Sequence, residues 1–252
     1  MKKKLQPGAV RKKSSGRPDE ELRIAAKILE WEIGDIWGHV GVRLPDNDGI
    51  AVQMFRRPEK GEQSWLVRFD YSLNKLSGVG TIPRESTIYT EIFKARPDVN
   101  AVVHSHAPMC IALGLADKQL ACVHMQSFRF GGGVPVYPRP IYILDDAEGA
   151  ELARALDGAS AVMIKGHGIV TVGRTIDEAS MTALYMERTA KIQAMAHLLG
   201  FKGPTEEFIE ELTASKDKLF ANMNRIKMTH SAEWKYYSDK IKKKEKWTRG
   251  WS

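Results

Sequence analysis

The chain has 252 residues, 43% of them hydrophobic, with 27% charged and a formal net charge of +7, enough apolar material for one large core and no need of a second domain. No apolar run of about 18 residues is present to cross a bilayer, and the basic start Met1–Lys4 leads into polar residues rather than the apolar stretch of a signal peptide, so a cytoplasmic protein is expected. Residues 1–17 hold seven cations and no acid, which is the whole net charge, so the body is not basic and neither a specific nucleic-acid partner nor a membrane is expected.

The expected organisation is a basic tail over 1–17, one body over 18–229 and a basic, aromatic C-terminal segment over 230–252. Leu22, Ala25, Ala26, Ile28 and Leu29 recur at helical spacing after Pro18 and predict a helix from Asp19 to Glu32. Three short apolar runs follow, Val40–Val42, Ile50–Phe55 and Trp65–Phe69, separated by Asp- and Gly-rich turns, and predict antiparallel strands. A helix is expected over Ser86–Ala95, ended by Arg96-Pro97-Asp98, then a strand over Asn100–Val103 and a brief helix from Pro108. A strand near Val134–Tyr137, a helix near Glu148–Leu156 and strands at Ala161–Ile164 and Ile169–Val172 complete an alternating α/β pattern. The last well-marked helix runs Ile176–Leu199, with Thr175 and Glu178 as a capping box and Gly200 as its stop. Cys110 and Cys122 match no metal or redox spacing and read as small hydrophobes.

Chemistry concentrates in two short stretches. His104-Ser105-His106 stands where an apolar strand ends, and side chains two apart on an extended chain leave the same face, so both imidazoles can point at one object. Lys165-Gly166-His167-Gly168 lies between two further apolar runs, and glycines on either side leave the imidazole of His167 approachable. Three neutral imidazoles make a divalent metal site with an open coordination position; zinc, manganese, cobalt and iron all suit such ligands. Glu85 and Glu91 are both placed to serve as a nearby acid/base, and the residues alone do not separate them.

Arg96 to Pro108 (R-P-D-V-N-A-V-V-H-S-H-A-P) and Gly166 to Ala179 (G-H-G-I-V-T-V-G-R-T-I-D-E-A) together resemble the class II aldolase/adducin family, over a stretch from about Glu20 to the early 200s. The resemblance implies a three-layer α/β/α fold with a central, mainly antiparallel sheet, a divalent ion held by His104, His106 and His167, a homotetramer, and Glu85 as the residue that moves a proton. Where the sugar-phosphate aldolases of that family carry small phosphate donors, this chain has Gly38-His39-Val40-Gly41 and Pro83-Arg84. His39 and Arg84 are therefore candidates to hold a substrate carboxylate, with Arg43 and Arg129 as further cations, since a guanidinium fork suits a carboxylate.

The segments H-S-H-A-P, His124–Val136, K-G-H-G and Trp234–Tyr237 are similar to relatives that decarboxylate hydroxylated aromatic or pyridine carboxylates. The leading expectation is a metal-dependent carbon–carbon lyase that decarboxylates a small hydroxy-aromatic carboxylate. The alternatives are an aldolase on a small hydroxy-carbonyl or sugar-phosphate substrate, an iron-dependent oxygenase, and a non-catalytic adducin-like scaffold, against which the intact histidine set argues. Tyr236 or Tyr237 is a candidate to bind substrate in a neighbouring subunit's site, buried aromatic packing at the interface being the alternative role.

Overall fold

The computed structural model describes residues 18–45, 48–55, 65–130, 133–226 and 231–249. The basic tail expected over 1–17 lies outside the described residues, as do 227–230 and 250–252.

The chain opens with helix α1, Pro18–Ile33, whose first turn carries Asp19, Glu20 and Glu21 where the helix dipole favours negative charge. Strands β1 (His39–Arg43), β2 (Ile50–Met54), β3 (Leu66–Phe69) and β4 (Lys75–Gly78) follow. Then come α2 (Thr87–Ala95), β5 (Ala101–Ser105), α3 (Pro108–Leu115), a 3-10 turn over Met125–Phe130, β6 (Val136–Tyr137), α4 (Asp146–Leu156), β7 (Ala161–Ile164) and β8 (Gly168–Gly173). Three helices close the chain, α5 (Ile176–Leu198), α6 (Glu206–Ile226) and α7 (Ser231–Arg249).

The strands form one eight-stranded sheet in the order β4-β3-β2-β1-β5-β8-β7-β6. Every neighbouring pair is antiparallel except β6 with β7. Alternation along β5 divides the core between the two faces. Ala101 and Val103 join residues of α1, α3 and α5 on one side, and Val102 joins Ile88, Ile92, Leu152 and Leu156 of α2 and α4 on the other. The result is the three-layer α/β/α arrangement the sequence implied.

The element sequence follows the hydrophobic pattern closely up to α5; the helix α6 was not expected, and two further points differ. β4 was not expected; its four residues are all exposed, so it carries no buried face to betray it in the sequence. The α5 cap is a variant of the box. Thr175 accepts from the Glu178 N–H at 3.4 Å, but the Glu178 carboxylate reaches one residue further back and accepts from the Arg174 N–H at 2.8 Å.

The C-terminal aromatics lie on α7. Trp234, Tyr237 and Ile241 of α7 pack on Ile24 and Ile28 of α1 and on Met181 and Leu184 of α5. The Arg188 guanidinium donates to the Tyr237 hydroxyl, Lys240 pairs with Glu32, and Tyr185 donates to Glu233 at 2.8 Å. Tyr237 is buried against its own chain, where its ring completes an apolar seam between α1 and α5. Tyr236 points outward and is 63% exposed. Among the described residues no helix is long and apolar enough to cross a membrane.

Candidate metal centre

The histidines meet where three strands of the sheet end together. β1 and β5 run antiparallel with His39 opposite His104, and β8 runs back along β5 with Ser105 opposite Ile169. His104 is thus the last but one residue of β5, and His106 leaves the strand end in the short link before Pro108 opens α3. Two glycines bring His167 to the same place. Gly166 sits at φ +68°, a turn a side chain would strain, and a Cβ on Gly168 would lie 2.4 Å from the Ser105 carbonyl oxygen. Only with glycine there can β8 begin hard against the end of β5.

The three imidazole rings have centroids 4.9, 5.0 and 5.3 Å apart. Glu85, in the turn leading to α2, completes the group, and one ligand atom from each of the four side chains lies within 4.8 Å of the others. Glu85 Oε2 is 3.4 Å from His104 Nε2 and 3.5 Å from His167 Nε2. Neighbouring ligands on a tetrahedral ion with bonds of about 2.0–2.1 Å stand roughly 3.3 Å apart, so these separations suit one shared cation.

Each imidazole has its other nitrogen tied to an acceptor. His104 Nδ1–H donates to the Ile169 carbonyl at 3.0 Å, His167 Nδ1–H to the Ile141 carbonyl at 2.8 Å, and His106 Nδ1–H to the Asp35 carboxylate at 3.2 Å. A carbonyl or carboxylate oxygen can only accept, so all three rings carry the proton on Nδ1 and turn the Nε2 lone pair inward. His104 Nε2 and His167 Nε2 are buried with no hydrogen-bond partner. Buried polar atoms without partners are uncommon, and two lone pairs converging beside one carboxylate are the arrangement that a cation-binding site offers.

Electrostatics agree with an ionised centre. Burial works to raise the Glu85 carboxyl, but the adjoining His104 and His167 rings and the Ile143 N–H hold it well below the ordinary carboxylate range. Asp35 is likewise depressed, burial being outweighed by the His106 side chain and the His106 and Trp37 N–H groups. His39 is pushed down to about 3 by burial and by neighbouring His104, so it is neutral.

The sequence candidates separate accordingly. His39 lies beside His104, ring centroids 5.2 Å apart, with Nδ1 2.6 Å from the Tyr89 hydroxyl. Arg84 is exposed and adjoins Glu85 in the same turn. Glu91 faces away, paired with Lys94 at 2.6 Å and packed close to Gly149 of α4, which resolves the choice between the two glutamates in geometry. Arg43 is a correction. It stands at the opposite end of β1 from His39, where its guanidinium donates to the carbonyls of Phe93, Arg96 and Val99 and to the Tyr71 hydroxyl, and lies 4.6 Å over the Phe93 ring. Those carbonyls at the α2 terminus need a donor, and Arg43 is spent on them. Tyr236 sits on α7, which packs against α1 and α5, whereas His104 projects, by strand alternation, to the α2 and α4 side. The Arg129 side chain lies outside the described residues. Two residues were missed by sequence reasoning: Asp35, buried behind His106, and Tyr142, 67% exposed with its ring edge-on to His167 at 5.3 Å.

The family model for the Class II Aldolase and Adducin N-terminal domain matches residues 30–194. The chain belongs to this family. Among characterised relatives it is 29% identical over 187 residues to 3,4-dihydroxyphthalate decarboxylase of Arthrobacter keyseri, covering 68% of this chain and 75% of the relative. It is 30% identical over 190 residues to the enzyme of the same name from Rhodococcus jostii strain RHA1, covering 69% and 76%. Among solved structures, an aldolase II superfamily protein from Pseudomonas syringae superposes with a TM-score of 0.74 at 22% identity, over 94% of this chain and 98% of the other, a likeness of fold.

Proposed function

We propose that this chain is a divalent-metal-dependent carbon–carbon lyase that decarboxylates a small hydroxy-aromatic or heteroaromatic carboxylate. The observation that carries the reading is the pair of buried Nε2 atoms, on His104 and His167, that face Glu85 Oε2 with no other partner. His104, His106 and His167 would hold the ion and leave a coordination position open for substrate, with Glu85 beside it as the proton carrier; zinc, manganese, cobalt and iron all accept such a set. When bound, the ion supplies a Lewis acid that stabilises the oxyanion developing as the carbon–carbon bond breaks.

The chain's own groups account for the remaining chemistry. Ile143 N–H holds Glu85 Oε1 at 2.9 Å and so aims Oε2 into the centre. Being ionised, Glu85 takes the proton of the substrate's ring hydroxyl and returns it to the ring carbon that loses CO2, so that hydroxyl, carbon and carboxylate balance within one turnover. His39 is neutral and can hold the substrate only by hydrogen bonding. The charge of the substrate's acid group therefore falls to Arg84, the cation beside Glu85. Tyr142 at the mouth offers a ring edge and a hydroxyl to an aromatic substrate.

Decarboxylation is favoured over retro-aldol cleavage by the names of the two relatives and by His39 and Arg84 at positions where phosphate-binding relatives use small donors. Self-association into a homotetramer is part of the proposal, and the exposed row Ile192, Met195, Leu198 and Leu199 at the end of α5 supports it. The test is purification under native metal supply, elemental analysis, and a CO2-release screen over ortho-hydroxy aromatic acids. Near-stoichiometric metal with CO2 release is expected; a metal-replete protein that releases no CO2 but cleaves a sugar phosphate would transfer the reading to aldolase.

A further inference from the structure

The three histidines differ in what stands behind them. His104 and His167 donate Nδ1–H to main-chain carbonyls, of Ile169 and Ile141, which no substitution removes. His106 alone donates to a side chain, the carboxylate of Asp35. Asp35 comes from the link between α1 and β1, 71 residues away in sequence, and is 5% exposed. It is also the most heavily used acceptor in the region: Oδ2 accepts from the His106 N–H at 2.7 Å and the Ser105 hydroxyl at 3.2 Å, and Oδ1 from the Trp37 N–H at 2.8 Å. His106 Nδ1 lies 3.2 and 3.3 Å from the two oxygens.

We infer that Asp35 is the positioning residue of the metal centre: it locks His106 in the Nδ1–H tautomer, aims its Nε2 lone pair inward, and thereby sets metal affinity. The inference rests on the metal-site reading proposed above. The need for such a lock is specific to His106, whose side chain is 26% exposed against 0% for His104 and 8% for His167. A ring open to solvent has freedom to turn that the other two lack. The carboxylate also makes His106 the most electron-rich of the three, because an anion behind an imidazole strengthens it as a ligand more than a neutral carbonyl does.

Asparagine at 35 is nearly the same shape but presents a donor where one oxygen was. The backbone N–H groups of His106 and Trp37 both require an acceptor, so whichever way the amide turns, an NH2 meets a donor. With the NH2 at the Oδ1 position it can donate to His106 Nδ1, which drives that ring to the Nε2–H tautomer and points a proton at the metal position. A substitution that keeps the outline but fixes the wrong tautomer is a known way to disable a histidine.

The experiment measures Zn(II) and Co(II) affinity of the full chain by chelator competition in wild type and Asp35→Asn, with the Co(II) absorption spectrum and the fold of the metal-free proteins followed by circular dichroism. The expected result is a folded Asp35→Asn protein with metal affinity weakened about 10–100-fold and an altered Co(II) spectrum. Wild-type affinity and spectrum in a folded Asp35→Asn protein would overturn the role of Asp35. No metal uptake by the wild type would instead overturn the metal-site reading itself. Histidine nitrogen NMR of metal-free wild type under alkaline conditions gives a check that needs no variant: His106 should show its proton on Nδ1, and an Nε2–H signal there would reject the inference even if Asp35→Asn failed to fold.

Discussion

Glu85 Oε2 stands 3.4 Å from His104 Nε2 while its other oxygen is tied to the Ile143 N–H, so one carboxylate is both anchored to the protein and aimed at the imidazole cluster. On the proposed reading the two oxygens divide the labour: Oε1 sets the position and Oε2 meets the chemistry. Glu85→Gln keeps the size and can still accept the Ile143 N–H, but it cannot carry a proton. Turnover should fall about 10²–10⁴-fold, the usual scale for lost general acid–base catalysis, with the fold intact. Single-turnover CO2 release on metal-loaded variant is the measurement, and a loss smaller than about 10-fold would remove Glu85 from the proton path.

Replacing each histidine in turn tests the centre directly. His104→Ala, His106→Ala and His167→Ala should each lower bound metal sharply by elemental analysis, because three nitrogen ligands leave little redundancy. The fold should survive in all three, since the two large apolar clusters on either side of the sheet contain none of these residues. A folded His167→Ala protein with stoichiometric metal would take that residue out of the site.

The proposed carboxylate-binding role of Arg84 makes a prediction about ligands. Inorganic phosphate and sugar phosphates should inhibit weakly, and ortho-hydroxy aromatic carboxylates should compete well, because a planar guanidinium at Arg84 and a ring edge at Tyr142 suit a flat acid. Arg84→Ala should raise KM for such an acid more than it lowers kcat, as removal of uniform binding does. Inhibition by fuculose phosphate stronger than by any aromatic acid would point back to aldol chemistry.

What the sequence revealed and what it hid follow from the range of the interactions. His104, His106 and His167 were legible because strand alternation and flanking glycines are local facts. Asp35 was not, because its meaning depends on a contact with a residue 71 positions away, and nothing near it in the chain announces the partner. Arg43 misled for the opposite reason. A cation at a strand end reads as a ligand-binding group until the carbonyls of Phe93, Arg96 and Val99 are seen to surround it. The packing of Tyr237 between α1 and α5 was not legible either, since it depends on helices far away in sequence.

Acid should destabilise the metal-free protein earlier than its carboxylates alone would require. His39 has an ordinary value of 6.5 and is pushed down to about 3 in the fold by burial and by His104. Between those values the unfolded chain binds a proton that the folded chain refuses. Stability therefore rises with pH across the window, is fully present above 6.5, and is lost as pH falls towards 3, with a slope of up to about 1.4 kcal/mol per pH unit. His104, lowered by burial, adds to this slope, and His106, raised by Asp35 in spite of burial, opposes it. Asp35 and Glu85, both depressed, add their loss only below the ordinary carboxylate range. Chemical denaturation in chelator at a series of pH values should show this acid limb, and His39→Gln, which can still meet the Tyr89 hydroxyl, should make it shallower. An unchanged limb would mean that His39 is protonated in the folded state.

The two adjacent tyrosines of α7 should behave in opposite ways. Tyr237 is 7% exposed, lies in the seam between α1 and α5, and takes a hydrogen bond from Arg188, which in turn lies 3.4 Å from Glu32. Tyr237→Ala should cost about 3 kcal/mol or more, as buried aromatic truncations do, and Tyr237→Phe should cost only about 1 kcal/mol for the lost hydrogen bond. Tyr236 is 63% exposed and meets its neighbour only edge-on at 5.1 Å. Tyr236→Ala should leave stability within about 0.5 kcal/mol of wild type. With α7 docked on α1 and α5, on the layer opposite the one His104 faces, turnover in Tyr236→Ala should also be unchanged. Thermal unfolding and CO2 release on the same preparations separate the cases. A Tyr236→Ala protein of normal stability but impaired turnover would restore the expectation that this ring enters the site of another subunit.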